Sequence, residues 1–118
     1  MNEVGLDWRI ESVSAAVVLR PMGRVDETTA AAFGDRLSQE IQSASADGNK
    51  LLIIGLAGIS YMSSRGLRAL TLAQREGSDR EVRIVLAEPN DIMREILAIS
   101  RYDLVFSVFD TTDAAVSG

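Results

Sequence analysis

Two adjacent serines, Ser63 and Ser64, stand in the segment Ser60-Tyr61-Met62-Ser63-Ser64-Arg65-Gly66, a polar joint between an apolar run and a stretch of helical spacing. Where a strand hands over to a helix, backbone N–H groups and the positive end of the helix dipole point at the joint. A hydroxyl there has two uses. It can cap the helix by accepting an amide, as Ser63 can from Arg65 or Gly66. It can also carry a phosphate, whose roughly 1.5 to 2 negative charges a helix N-terminus tolerates within the fold. The same charge left unpaired against a partner costs about 2 to 5 kcal/mol of binding, at least a tenfold change in affinity. Ser64 is thus a candidate switch. Other chemistry is scarce. The chain has no cysteine and no histidine, which removes thiolate nucleophiles, disulfides, the commonest metal ligand and the commonest general base. Of the carboxylates, Asp26, Glu88 and Asp91 are the candidates for a small enzyme, but no paired acid and base can be located among them. No catalytic residue, metal ligand or cofactor is predicted.

The joint needs elements to hold it. Lys50 to Leu56 is a nearly unbroken run rich in Leu and Ile, read as a strand buried on both faces. From Gly66 onward, Gly66, Ala69, Leu70 and Ala73 share one helical face while Arg68 and Arg75 turn away. In open parallel sheets such a strand-to-helix joint is where ligands and modifications are met.

Before this stretch, Trp8 to Ser12 and Ala15 to Pro21 read as two strands joined by a turn near Val13-Ser14, a link short enough to favour an antiparallel pair. Gly23-Arg24-Val25-Asp26 reads as a loop, and Thr28 to Ala46 as a helix with Ala30, Phe33, Leu37 and Ile41 inward and Asp26 or Thr28 able to cap it. Asp47-Gly48-Asn49 breaks it. After the central stretch, Glu76-Gly77-Ser78-Asp79 closes the second helix and Val82 to Ala87 forms a strand. A third helix begins at Pro89 with Asp91 in its first turn, and Ile92, Met93, Ile96, Leu97 and Ile99 are predicted to be its buried face. Leu104 to Phe109 reads as a last strand, and the tail after Asp110-Thr111-Thr112 as one short helix that frays at Ser117-Gly118. The predicted class is α/β: about five strands in a mostly parallel mixed sheet, opened by an antiparallel strand, with three to four helices that can all lie on one face.

Composition fits one domain over residues 1–118, with 47% hydrophobic and 25% charged residues to build and solvate a core. The 12 basic residues are outnumbered by 17 acidic ones and are scattered, so nucleic acid is an unsuitable partner. The opening MNEVGLDWRI lacks the basic and apolar regions of a leader, and no apolar run is long enough to insert in a membrane, so the expected location is the cytoplasm.

The segment ISYMSSRGLRAL, placed after an apolar strand and before a helix, resembles the signature of the STAS domains, in particular the single-domain bacterial anti-sigma-factor antagonists. The similarity extends to GRVD before the first helix, EPNDIMREIL after the Val82–Ala87 strand and RYDLVFSVFD near the end. Within that family the joint usually reads Asp-Ser-Ser-Gly-Leu or Ser-Ser-Ala-Gly-Leu. Matched residue by residue, Ser63 falls on the Asp position, Ser64 on the phosphorylated serine, Arg65 on the following small residue, and Gly66 and Leu67 on the glycine and leucine. Arg101 stands where the family often has glycine. The resemblance implies a STAS fold and a protein that is not an enzyme. Unphosphorylated, it would bind an anti-sigma factor serine kinase of the GHKL type and free a sigma factor. Phosphate on Ser64 would end the binding and a PP2C-type serine phosphatase would restore it. The implied partner-binding residues are Asp26, Met62, Ser63, Ser64, Arg65, Gly66 and Leu67.

Several residues keep two readings. Asp26 can cap the first helix or meet a partner at the same sheet end as Ser64; Met22, Tyr61 and Met62 can be contact residues or core; Gly66 and Leu67 are explained by close approach and burial. The alternative within the family is a STAS scaffold subunit of a membrane transport or signalling assembly that uses the same surface without phosphorylation.

Overall fold

Leu52, Ile53 and Ile54 are wholly buried, and they are so because their strand runs through the middle of a sheet covered on both sides. The computed structural model describes residues 5–118; Met1–Val4, which open the stretch read as lacking a leader, lie outside the described residues. Strands β1 (Asp7–Val13) and β2 (Ala16–Val25) are followed by α1 (Ala30–Ala46), β3 (Leu51–Gly55), β4 (Ile59–Met62) and α2 (Ser64–Asp79). Then come β5 (Arg83–Ala87), α3 (Asp91–Ser100), a single 3-10 turn (Tyr102–Leu104), β6 (Val108–Phe109) and α4 (Thr112–Ser117). The order across the sheet is β1-β2-β3-β5-β6, antiparallel at β1–β2 and parallel elsewhere. The α/β class and mostly parallel mixed sheet are as predicted, with six strands and four helices among the described residues.

The sixth strand is a correction with a local cause. Ser60 to Met62 read as part of the polar joint, whereas the strand spans Ile59–Met62, with Ser60 and Tyr61 exposed and Ile59 and Met62 buried. Its partner is the far end of β2, which runs on through Pro21 and Gly23 to Val25 instead of ending in a loop. Leu19 is the last β2 residue paired with β3 and Gly23 the first paired with β4, so Pro21 falls in the gap between the two ladders, where a missing N–H is tolerated. Gly23 donates to the Gly58 carbonyl at 2.9 Å, fastening the loop between β3 and β4 across that gap.

Alternation along the strands separates two cores. Val17, Leu19, Leu52, Ile54, Ile84 and Leu86 face α1, α2 and α3, whereas Ala16, Val18, Ile53, Val85 and Ala87 face α4 through Ala115. Helices therefore cover both faces, not one.

Two apolar stretches are less buried than their composition predicts. In α3, Met93 and Leu97 enter the core while Ile92 and Ile99 are exposed. The predicted strand Leu104–Phe109 is reduced to Val108–Phe109, because the Tyr102 carbonyl accepts the amides of Val105 and Phe106 at 3.0 and 2.9 Å and folds the preceding residues into a turn. Tyr102 stacks on Phe106 with ring centres 6.4 Å apart, and Leu104 and Val105 are left in solvent.

Candidate functional site

The end of β2 and the end of β4 lie side by side, and that pairing builds the site. Val25 opposes Met62, and the Val25 carbonyl accepts the Ser63 amide at 2.8 Å, which fixes where α2 begins. Ser63 has extended backbone angles (φ −79°, ψ 174°), its Oγ accepts the Gly66 amide at 3.4 Å, and its carbonyl accepts the Leu67 amide at 3.0 Å. This is the cap expected of it. Ser64 is the first helical residue and is exposed. Its side chain stands at the mouth of a 16-residue helix, where the first amides have no partner within the helix.

Below this surface, Met62 and Leu67 are buried at 2% and 6% exposure, and Gly66 is buried between Met62 and Val25. A β-carbon on Gly66 would stand 2.5 Å from Met62 Cγ, so the absence of a side chain lets the first turn of α2 settle on the strands. Tyr61 is at the surface beneath the Arg24 guanidinium, 4.3 Å from its ring centre, and Met22 is half-buried.

Asp26 lies in the loop between β2 and α1, next to Val25 and hence at the same end as Ser63. Its Oδ1 accepts the Thr28 hydroxyl at 2.8 Å and the Thr28 amide at 3.0 Å, and its Oδ2 accepts Arg24 Nε at 3.0 Å. These bonds, the Thr28 hydroxyl foremost, hold the Asp26 carboxyl below the usual carboxylate range. The helix itself starts two residues later than predicted, at Ala30, with Thr29 as its N-cap and no side-chain bond to a helix amide. Thr29 is buried, donating its hydroxyl to the Arg24 carbonyl at 2.7 Å and accepting the Asp26 amide at 2.9 Å. Asp26 thus stiffens the turn before α1 instead of capping it. Arg65 reaches across to this loop, with Nε 2.9 Å from a Glu27 carboxylate oxygen, and both side chains are largely exposed.

Glu88 and Asp91 do not join this group. Glu88 sits after β5 against Arg20, its Oε1 3.4 Å from Arg20 Nε, and Asp91 is an exposed first residue of α3. A residue the sequence reading passed over does bear on the site. Asn90 caps α3 by accepting the Met93 amide at 2.8 Å, and its amide group donates to the carbonyls of Ile59 at 2.7 Å and Ala57 at 3.1 Å. It anchors the loop that leads into β4. The signal available was Asn immediately before an amphipathic helix, which announces a cap but not the second set of bonds.

Beside the site, α1 and α2 approach closely, since Gly34 presents no side chain to Ala69. Between them runs an open groove of about 470 Å³, floored by small residues such as Ala30, Ala69 and Ala73 and rimmed on the α2 side by Arg65 and Arg68.

A family model described as the STAS domain matches residues 7–115. BtrV of Bordetella bronchiseptica, named for anti-sigma factor antagonism, is 27% identical over 86 residues, which are 73% of this chain and 74% of the relative. A crystal structure described as an anti-sigma factor antagonist from Thermotoga maritima superposes with a TM-score of 0.80 at 18% identity, over 93% of this chain and 92% of the other. The phosphorylated form of the Bacillus cell fate determinant SpoIIAA gives a TM-score of 0.64 at 22% identity, over 94% and 97%. At such identities the structural likeness establishes a shared fold.

Proposed function

This chain belongs to the STAS domain family, and from that premise we propose that it is an anti-sigma-factor antagonist whose binding is switched off by phosphate on Ser64. Unphosphorylated, it docks on a GHKL-type anti-sigma factor serine kinase and displaces the sigma factor. The kinase then transfers the terminal phosphoryl group of ATP to Ser64: an Oγ–P bond forms, the bond to ADP breaks and the hydroxyl proton leaves. A PP2C-type serine phosphatase hydrolyses the ester and resets the cycle, which runs in the cytoplasm. The chain is ligand and substrate in this scheme, not catalyst.

The observation that carries this reading is the division of labour between neighbours. Ser63 supplies the capping bond to Gly66, so the exposed hydroxyl of Ser64 is not required by the fold and is open to a modifying enzyme. A dianion at that position faces the positive end of α2 and leaves the domain intact. Pressed against a partner surface without a counter-charge it costs about 2 to 5 kcal/mol. In this reading Asp26, Ser63, Ser64 and Arg65 present polar atoms to the partner, and the buried Met62, Gly66 and Leu67 set the backbone on which they stand. Among the described residues no helix is long and apolar enough to cross a membrane.

Incubation with ATP and the cognate kinase, followed by intact mass and peptide mapping, tests the proposal. One phosphate on Ser64 that is absent from Ser64→Ala supports it; phosphate on Ser60 or Ser63 instead, or no phosphate, overturns it.

A further inference from the structure

The exposed face of α2 continues beyond Ser64 in a row that the switch does not use. Ser64, Arg68, Leu72 and Arg75 follow one another at three- and four-residue intervals and lie on the same side of the helix, away from the buried Gly66, Leu70 and Ala73. Leu72 is 47% exposed between the two arginines. Most arginines of this chain are neutralised locally: Arg20, Arg24, Arg36, Arg65, Arg80 and Arg94 each have a carboxylate within 4.0 Å. Among the described residues Arg9, Arg68, Arg75, Arg83 and Arg101 have none, and of these Arg68 and Arg75 share one face of α2, on a chain whose net charge is −5. Two unpaired cations flanking an exposed leucine run against the overall composition.

The groove between α1 and α2 opens along this row, with Arg65, Arg68 and Leu72 on its α2 wall and an apolar floor of Ala30, Ala69 and Ala73. Its acidic groups are placed unevenly. Glu76, at the far end, is already engaged by Arg80 and Gln42, both at 3.3 Å, and Asp35 belongs to the α1 wall. Because Arg65 is held by Glu27, the positive charge left without a partner on this side lies at Arg68 and Arg75 along the exposed row of α2.

We propose that this face docks an acidic amphipathic segment of a protein partner, with an aliphatic side chain lodged in the groove beside Leu72 and carboxylates on Arg68 and Arg75. Charge complementarity selects the acidic partner, and the leucine and small-residue floor select an apolar side chain over a bare polyanion. The proposal goes beyond the switch, because it needs no phosphate on Ser64 and stands or falls separately from it.

The test is an amide-shift titration of the unphosphorylated, isotope-labelled protein with a synthetic helical peptide carrying leucine on one face and glutamate on its flanks. The control peptide has lysine for every glutamate. Expected are shifts confined to Gly34, Ala69, Leu72, Ala73 and their neighbours, no binding of the lysine peptide, and about tenfold weaker binding by Arg68→Ala, with the affinity falling as salt is raised. Arg68→Gln, which keeps most of the side-chain bulk, should weaken it similarly, and circular dichroism of both variants verifies the fold. Shifts mapping elsewhere, equal binding of the lysine peptide, or unchanged affinity in both Arg68 variants overturn the proposal. So do concentration-dependent shifts of the same amides without peptide, which would assign the face to a second copy of this chain.

Discussion

Val25 closes on Gly66 so tightly that a β-carbon built on the glycine would stand 2.7 Å from Val25 Cγ1. Because Val25 is fully buried and its carbonyl also holds the Ser63 amide, this contact sets the height of the α2 N-terminus above the sheet. In Gly66→Ala the improved helix propensity, about 1 kcal/mol, is outweighed by overpacking against Val25 and Met62, about 1 to 3 kcal/mol. The expected net result is a lower urea midpoint with an unchanged slope, and displaced amide signals at Ser63 and Ser64. An unchanged midpoint would show that Met62 swings aside at no cost.

Asn90→Asp separates two roles of one side chain. Aspartate still caps α3, but it presents a carboxylate to the Ala57 and Ile59 carbonyls that now receive hydrogen bonds from the amide group. Losing those donors, the one to Ile59 part-buried and the one to Ala57 exposed, should destabilise the domain by about 0.5 to 1.5 kcal/mol. Faster hydrogen exchange of Ile59–Met62 should accompany the loss. Equal stability of Asn90→Asp and wild type in urea would restrict Asn90 to a helix cap.

The comparison of sequence with fold turns on which signals are local. Ser63 as cap, Gly66 as a close approach, and the β3-to-α2 span were legible because each depends on spacing within a single turn or strand. The strand Ile59–Met62 was not, since two outward residues between two inward ones carry no period, and only its pairing with the far end of β2 gives it a strand's role. The clamp by Asn90 joins residues about 30 apart and leaves no mark on the sequence between them. The exposed Ile92, Ile99 and Leu104 misled for the opposite reason: hydrophobicity predicts burial only where another element arrives to cover it.

Arg101 ends α3 with φ +67°, a left-handed conformation that costs an ordinary residue about 1 to 2 kcal/mol. Its side chain is exposed, so little is lost by removing it. Glycine gives back part of the gain through its freer unfolded chain, about 0.5 to 1 kcal/mol. Arg101→Gly should therefore raise stability by about 0.5 to 1 kcal/mol, read as a higher melting temperature. A fall in melting temperature would reveal a contact made by the arginine.

Acid should loosen the turn before α1. The folded pKa of Asp26 is depressed, first by the Thr28 hydroxyl, so its contribution is fully present above the unfolded value of about 3.9 and is lost as pH falls through the folded value. Urea midpoints measured from about pH 5 down to about pH 2.5 should fall less steeply for Asp26→Asn than for wild type. Parallel curves would mean that another carboxylate governs the acid limb.

Ser64→Ala and Ser64→Asp divide folding from recognition at the position on which the proposed cycle depends. The alanine removes only an exposed hydroxyl that makes no cap, and the aspartate adds a negative charge at the first position of α2, where the helix dipole stabilises it by about 0.3 to 1 kcal/mol. Both variants should fold, the aspartate at least as stably as wild type. Toward the anti-sigma kinase they should part: Ser64→Ala keeps wild-type affinity and resists release by ATP, while Ser64→Asp binds at least about tenfold more weakly. The comparison is made by calorimetry on the same kinase preparation. Equal affinities of the two variants would detach charge at Ser64 from partner binding, even if the serine proves to be modified.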